Sequence, residues 1–464
     1  MKIRPSRKYM RAANKGDILI SVLVFAAIAV TVTIGLVNWG AALLIGARVA
    51  VQREQAFQIA EAGINYYQSH LAQLPGDYQD GTSHAGPYNH NFADKNGNVI
   101  GTYTLTITPP SVGSTNVGIV SKGTVPTNPA IPDGSTVSRS IQATLVNPSF
   151  AQYAIVSNES LSFPVGTNVY GPIMSNGPIH FAGVASNIIS SAISVDGAGT
   201  FNAGTLAPVS PIDFNALGTG FVQLQTIASS RGSSYQKSQY DYGSGEPGPA
   251  LGYHVVLNTN GTFALYIVTA LVQADSGCSD SSAGWGTWSI KSQKLVGTYP
   301  TPTQGLLFFE DDVWVDGSVN GSRLTIAATN ITVNSNLLYT NYDGTDAIGL
   351  IAQNNINIGL VSADTLHIDG ALMAENGRIG RFYYSSSCRV SGMDYYDRST
   401  LTLNGMIATN GHYGFTFSDG TGYQTRNMSY DVNLVGNPPP YFPTIGGSSG
   451  AGGGYRVASW KEVR

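Results

Sequence analysis

The sequence predicts an α+β chain: one long amino-terminal helix able to cross a membrane, a small antiparallel sheet, and a mainly-β remainder wound as a right-handed β-solenoid. Three observations point there. Ile18 to Ala47 contains no charged residue. Apolar and threonine residues then alternate as in a half-buried strand between residues 102 and 108. Beyond residue 170 one short phrase, an apolar run closed by an Asn-containing turn, recurs four times.

The helix comes first. A secretory leader has an apolar region of roughly 7 to 15 residues before its cleavage site, and this run is about twice as long, so it reads as an anchor. Lys2, Arg4, Arg7, Lys8, Arg11 and Lys15 all precede it. The positive-inside rule therefore puts residues 1–16, a basic leader, in the cytoplasm and everything after Arg48 on the far side of a single-pass segment. Val49, Arg53, Ala56, Ala60, Gly63, Tyr67 and Leu74 mark one helical face beyond the anchor, and Pro75-Gly76 stops it. Within the stalk segment 17–75, an unbroken helix from Asp17 to Leu74 is on the order of 87 Å long at about 1.5 Å per residue. Ala56, Ala60 and Gly63 form a strip of small residues that admits close approach by another backbone, either a second helix or the chain's own ectodomain.

Residues 76–150 read as a small sheet packed on that helix. Asn96-Gly97-Asn98 is a turn signal, and Tyr103, Leu105 and Ile107 alternate with Thr102, Thr104, Thr106 and Thr108 before Pro109-Pro110. Val117 to Val125 and Val137 to Val146 follow the same pattern, which predicts three or four strands.

Residues 151–443 carry the repeat. Its copies begin at Gly171, Gly349, Gly370 and Gly405 and end at Asn176-Gly177, Asn354-Asn355, Asn376-Gly377 and Asn410-Gly411. Short strands such as Val313 to Val315, Leu324 to Ile326, Ile331 to Val333, Ile356 to Ile358 and Leu366 to Ile368 lie between them. Strands this short, with Gly or Asn at nearly every corner, predict coils stacked as a solenoid; a β-sandwich is the alternative. Residues 204–302 interrupt the pattern with a Ser/Gly/Tyr-rich stretch expected to be an insertion. Residues 444–464 read as a Gly/Ser linker and a last strand.

Composition narrows the chemistry. Only 11% of residues are charged and the net charge is −4, which gives nucleic acid no electrostatic footprint. The seven histidines never fall into a zinc-binding spacing, and the Gly-rich stretches lack the Lys-Ser/Thr of a phosphate cradle, so no catalytic residue, metal site or cofactor is expected. Glu310-Asp311-Asp312 is the densest acid cluster, yet neighbours on a strand point to opposite faces, and a solvated corner is the simpler reading. Asp94 to Asn98 lacks the twelfth-position acid of a calcium loop and reads as a hairpin turn. Cys278 and Cys388 both fall on the exported side, where an oxidising compartment permits pairing; their separation leaves open whether they pair.

The basic leader, Gly16, the apolar run and then Gln55-Ala-Phe-Gln-Ile-Ala-Glu-Ala-Gly63 closely resemble the amino-terminal domain of the PilX-type minor pilins of the type IV pilus. The carboxy-terminal part, with Ala154 to Ser157, Val313 to Gly317, Asp431 and Pro438 to Pro443, is similar to long ectodomains attached to that helix in bacterial surface proteins. The resemblance implies processing at Gly16-Asp17 and helix packing through Ala56, Ala60, Glu61 and Gly63. It also implies partnership with other pilins or pseudopilins and their assembly machinery, a place in the bacterial cytoplasmic membrane or the pilus, and an adhesive head for a surface or glycan. Major pilins keep Glu at the fifth mature position, which is Ser21 here, and begin with Phe or Met where this chain has Asp17. A subunit without that Glu suits a tip or initiation position, because it has no buried carboxylate to satisfy a neighbour. Two other readings remain: a membrane-tethered β-helix enzyme acting on polysaccharide, and an envelope structural protein with no filament.

Overall fold

The computed structural model describes residues 15–74, 76–111, 114, 116–127, 135–147, 149–241, 247–248, 250–278, 286–445 and 454–463. Pro75 and most of the Gly/Ser run before Gly454 lie outside them.

Helix α1 covers Lys15–Gln73 without interruption. Residues 18–39 are exposed on every side, including Phe25 and Trp39. A helix apolar all round is one that lipid or other protein must cover. Its two mid-run hydroxyls are satisfied internally: Thr31 Oγ1 donates to the Ala27 carbonyl at 2.8 Å and Thr33 Oγ1 to that of Ala29 at 2.7 Å, as a segment in hydrocarbon requires.

From Ala56 onward α1 has a buried face. It packs on an antiparallel sheet of β1 (Tyr88–Ala93), β2 (Val99–Thr108), β3 (Thr-containing Val117–Pro126) and β4 (Thr136–Val146), with the carboxy-terminal strand Arg456–Val463 on the outer edge of β4. The alternation read in β2 holds for Tyr103 and Leu105, which are buried between exposed or half-buried threonines, while Ile107 is half-buried. Ile119, Ile141 and Leu145 complete the core against Ile59, Tyr67 and Leu71 of α1. The last strand, expected after the head, thus returns to the small sheet and adds a fifth member to it.

The remainder is β-rich and dominated by parallel ladders. One ladder runs in space through Leu306–Phe309, Arg323–Ala328, Ala347–Ala352, Thr365–Ala374, Asp397–Thr409, Ile155–Ser157, Ile173–Ser175, Ile189–Ser191 and Thr205–Leu206. All four repeat phrases fall on it. Ala371 to Ala374 pair with Gly349 to Ala352, Gly370 with Gly405, and Ile407 with Ile155, which pairs in turn with Ile173. The spatial order is a permutation of the sequence order: the strand that comes last in the sequence of this ladder, Asp397–Thr409, stacks on the one that comes first, Ile155–Ser157. A second ladder joins Tyr253–Asn258, Val313–Val319, Ile331–Tyr339, Ile356–Ile358 and Ile379–Arg381. A third joins Asp397–Thr409 to Gly422–Tyr430 and then to Thr167–Tyr170. The apolar core enclosed by them includes Ile155, Phe163, Val315, Ile326, Leu350, Leu372 and Ile407.

The strand ends are joined by amides as well as by backbone. Asn158 Nδ2 donates to Asn410 Oδ1 at 2.8 Å, and Asn176 Nδ2 donates to Asn158 Oδ1 at 2.7 Å. Two of the recurring turn asparagines, Asn176 and Asn410, are therefore linked through Asn158.

Residues 204–302, expected as an insertion, correct that expectation. Ser234–Tyr235 pairs with Leu306–Phe309, and Tyr253–Asn258 pairs with the strand at Val313, so both extend the ladders. Ahead of both lies helix α2, Asn215–Ser230, absent from the sequence reading. It has a physical job. Leaving the ladder at Leu206 and rejoining it beyond Leu306 requires a return of roughly 40 Å at about 4.8 Å per strand, of which a 16-residue helix covers about 24 Å. On its way α2 sets Phe221 against Phe308, ring centroids 4.8 Å apart, and buries Leu224 and Ala228. With the 438–442 segment, whose Pro439 lies against Gly349, α2 gives the ladder a second cover, and Ala347–Ala352 is buried at every position: a parallel sheet covered on both faces reads as a continuous apolar run.

Candidate functional site

The feature that sets this chain apart is the junction between the bare half of α1 and the sheet that grips its other half. Backbone meets backbone there. A Cβ on Gly123 of β3 would lie 2.0 Å from the Ala56 carbonyl oxygen and 2.6 Å from the Ala60 nitrogen. One on Gly63 would lie 2.3 Å from Ser121 Oγ and 2.9 Å from a ring carbon of Tyr103. The small-residue strip is thus filled by the chain's own sheet, while Glu61 beside it is exposed. Lower down, Gln52 Nε2 donates to the carbonyls of Pro126 at 3.2 Å and Thr127 at 2.6 Å and fastens the end of β3 to the helix. Higher up, Gln68 Nε2 donates to the Tyr455 carbonyl at 2.7 Å, and Phe57 lies 6.2 Å from Trp460. Arg139 of β4 pairs with Glu462. The carboxy-terminal strand is therefore part of the grip.

The loop after α1 is tied back onto it. The Asp77 carboxylate accepts the Gln79 and Gly81 N–H groups at 2.9 and 2.7 Å and faces His70 Nε2 at 2.9 Å; the Gln79 bond first, then His70, hold its pKa below the usual carboxylate range. His90 Nε2 lies 2.7 Å from Asp80 Oδ2. Gly16 and Asp17, the candidate processing junction, lie at the start of the described part of α1, and their side chains are outside the described residues.

In the head, Cys278 and Cys388 are joined by a disulfide. It closes a small cluster with Leu360, Phe382 and Tyr384, and Asp275 braces the same two loops by accepting the N–H groups of Ser391 at 2.9 Å and Gly392 at 2.7 Å. Beneath them the buried Arg381 donates to the carbonyls of Tyr396, at 2.8 Å, and Leu360, at 3.1 Å; burial lowers its pKa to about 10.

The titratable groups are dispersed. His180, His254, His367 and His412 each stand beside one carboxylate, and no three potential metal ligands converge among the described residues. Glu310 accepts from Gln225 and Gln236, Asp311 from Ser238, and Asp312 from Asn330. Burial, first, raises the Asp312 pKa. Asp94 folds its own hairpin turn, its Oδ1 accepting the N–H groups of Asn96 and Asn98 at 2.8 and 2.9 Å. One acid that the sequence did not single out is Glu375. It is 2% exposed beneath α2, where burial pushes its pKa up to about 8 against a smaller opposing hydrogen bond from the Phe221 backbone.

No protein-family profile matches the chain, and no characterised protein matches it by sequence. Among solved structures it is similar to the competence-associated pilin ComZ from Thermus thermophilus, with 13% identity over 89% of this chain and 97% of that one. The TM-score is 0.34, a superposition too loose to give this chain a role, and nothing in it speaks for PilX-type pilins in particular.

Proposed function

We propose that this chain is a membrane-anchored minor pilin or pseudopilin-like subunit that enters or caps a type IV pilus-like filament and carries a β-solenoid head outward. The observation that supports it most is the division of α1: residues 18–39 bare and apolar, and Ala56 to Leu71 locked into a small sheet. Burying the bare half in lipid, or among the helices of a filament, contributes about 25 cal/mol for each Å² of apolar surface covered. The basic leader puts the amino terminus in the cytoplasm in this reading. The parallel ladders are taken as the coils of the head, in the right-handed sense that parallel crossovers favour.

The same proposal gives the head a mechanical or adhesive role rather than a catalytic one. The neighbours of Glu310, Asp311 and Asp312 support this, since each carboxylate is already spent on a nearby amide or hydroxyl. The test is co-expression with a prepilin peptidase, followed by sequencing of the mature amino terminus and immunogold labelling of sheared filaments. A chain beginning at Asp17 and present in the filaments is expected. An intact Met1 together with absence from every filament would overturn the pilin reading and leave an anchored envelope protein.

A further inference from the structure

We infer that the head carries a sugar-binding site: the cavity among Asn158, Asn376, Asn410 and Glu375 takes one neutral sugar ring by its hydroxyls. This deepens the adhesive part of the reading above and rests on that part alone, not on filament entry.

Stacked strand ends supply the amides. The Asn410 N–H donates to the Ala374 carbonyl at 3.2 Å and the Gly411 N–H to that of Gly377 at 2.9 Å, which sets the turn at Asn376 beside the turn at Asn410. Asn158 stands on the other side, bonded to Asn410. Residues 212–214 run beside these turns and are tied there by Asn176, whose Nδ2 donates to the Ile212 carbonyl and whose Oδ1 accepts the Ile212 N–H, both at 2.8 Å. Strap and turns border a cavity of about 280 Å³. Asn158 and Asn376 are exposed at its mouth, and Glu375 is buried beneath α2.

The polar atoms left over define the ligand. Glu375 is 2% exposed, and its Oε1 has no hydrogen-bond partner among the described residues. Asn376 spends its Nδ2 on the Gln353 carbonyl at 2.9 Å and Asn410 its Oδ1 on Asn158, which leaves Asn376 Oδ1 and Asn410 Nδ2 unpaired among those residues. The cavity thus offers an acceptor, a donor and a carboxyl that burial keeps protonated at neutral pH, able to act as both. No lysine, arginine or histidine is among the described residues that line it, so an anion finds no counter-charge. Calcium takes about six to eight oxygen ligands, and here the carboxyls are only those of Asp213 and Glu375, the second of them neutral. A sugar hydroxyl both donates and accepts, which matches this set. Ile212 and Phe214 form an apolar wall for ring C–H groups, and Phe214 is fixed against Phe150 with ring centroids 5.1 Å apart. The volume is at the small end of ligand pockets, enough for a single ring.

The test uses the full chain in a detergent that carries no sugar, with the methyl glycosides of glucose, galactose, mannose and N-acetylglucosamine as probes. Saturation-transfer NMR, titrated against probe concentration, reads binding. At least one glycoside is expected to bind in the millimolar range, and Glu375→Leu or Asn376→Ala should weaken it about tenfold with the thermal melt still cooperative. Asn376 lies on an exposed turn, so Asn376→Ala decides the matter if Glu375→Leu does not fold. No transfer to any of the four probes overturns the sugar site and leaves the pilin reading intact, since that is tested separately on filaments. Binding that persists unchanged in the variants puts the sugar elsewhere and also overturns it. Calcium chloride that raises the melting temperature of the parent but not of Asn376→Ala, without sugar binding, would show a cation site instead and overturn it as well.

Discussion

Gly123 sits on Ala56 with no room for a side chain: a Cβ added to the glycine would stand 2.0 Å from the alanine's carbonyl oxygen. The obstacle is helix backbone, which cannot swing aside. Gly123→Ala is therefore expected to push β3 off α1 and destabilise the small sheet by about 1–3 kcal/mol, the range for overpacked cores. Gly63→Ala meets the Ser121 hydroxyl and the Tyr103 ring, side chains able to shift, and costs less. Urea unfolding of the detergent-solubilised chain compares the two; equal stability of Gly123→Ala and the parent would contradict this packing.

Glu375 makes head stability depend on pH. Its folded pKa, about 8, lies above that of an exposed glutamate, so the neutral form is favoured on folding. Its contribution is complete below about pH 4.5 and is lost as pH rises through 8. Glu375→Gln keeps the shape without the charge and should raise stability at pH 9 by on the order of 2–4 kcal/mol, with little change at pH 4.5. Thermal melts of the two proteins across this range read the difference, and parallel curves would rule the burial effect out.

The disulfide between Cys278 and Cys388 closes a separation of 110 residues. Replacing both by serine should cost about 2–4 kcal/mol and expose the loops near residues 278 and 388 to protease first, since only non-covalent contacts such as the Asp275 bonds to Ser391 and Gly392 then join them. Limited proteolysis with mass mapping distinguishes this from a global loss; unchanged cleavage at both loops would show the bridge to be dispensable.

Asn158 joins three strand ends, donating to Asn410 and accepting from Asn176. It lies where Asp397–Thr409 stacks on Ile155–Ser157. Asn158→Ala should cost about 1–2 kcal/mol and speed hydrogen exchange at Ile155 to Ser157 and Ile407 to Thr409 before other strands. Uniform exchange along the ladder would argue against a weak joint there.

Local features were legible in the sequence and long-range ones were not. The helix, the β2 alternation and the Asn-closed phrases are written in neighbouring residues, so periodicity and turn chemistry find them. That Ile407 pairs with Ile155, 252 residues away, depends on which ladder edge is free when the chain returns, and composition is silent on that. Helix α2 left a faint trace in Phe221, Leu224 and Ala228 at spacings of three and four, diluted by the Ser, Thr and Gly around them. Arg456–Val463 was readable as a strand, but its partner β4 lies more than 300 residues earlier. Of the site, the strip at Ala56, Ala60 and Gly63 was visible; what fills it was not, because a helix and a sheet with Gly123 fit the same groove.

Everything turns on whether the bare half of α1 holds the chain in a membrane with the head outside. A thiol introduced as Val165→Cys is 79% exposed at its site and is the sole free thiol in the chain. Labelling intact cells with a membrane-impermeant maleimide should modify it without permeabilisation, in protein recovered with membranes or sheared filaments. Modification only after lysis, or recovery of the full chain in the soluble fraction, would contradict the anchored topology.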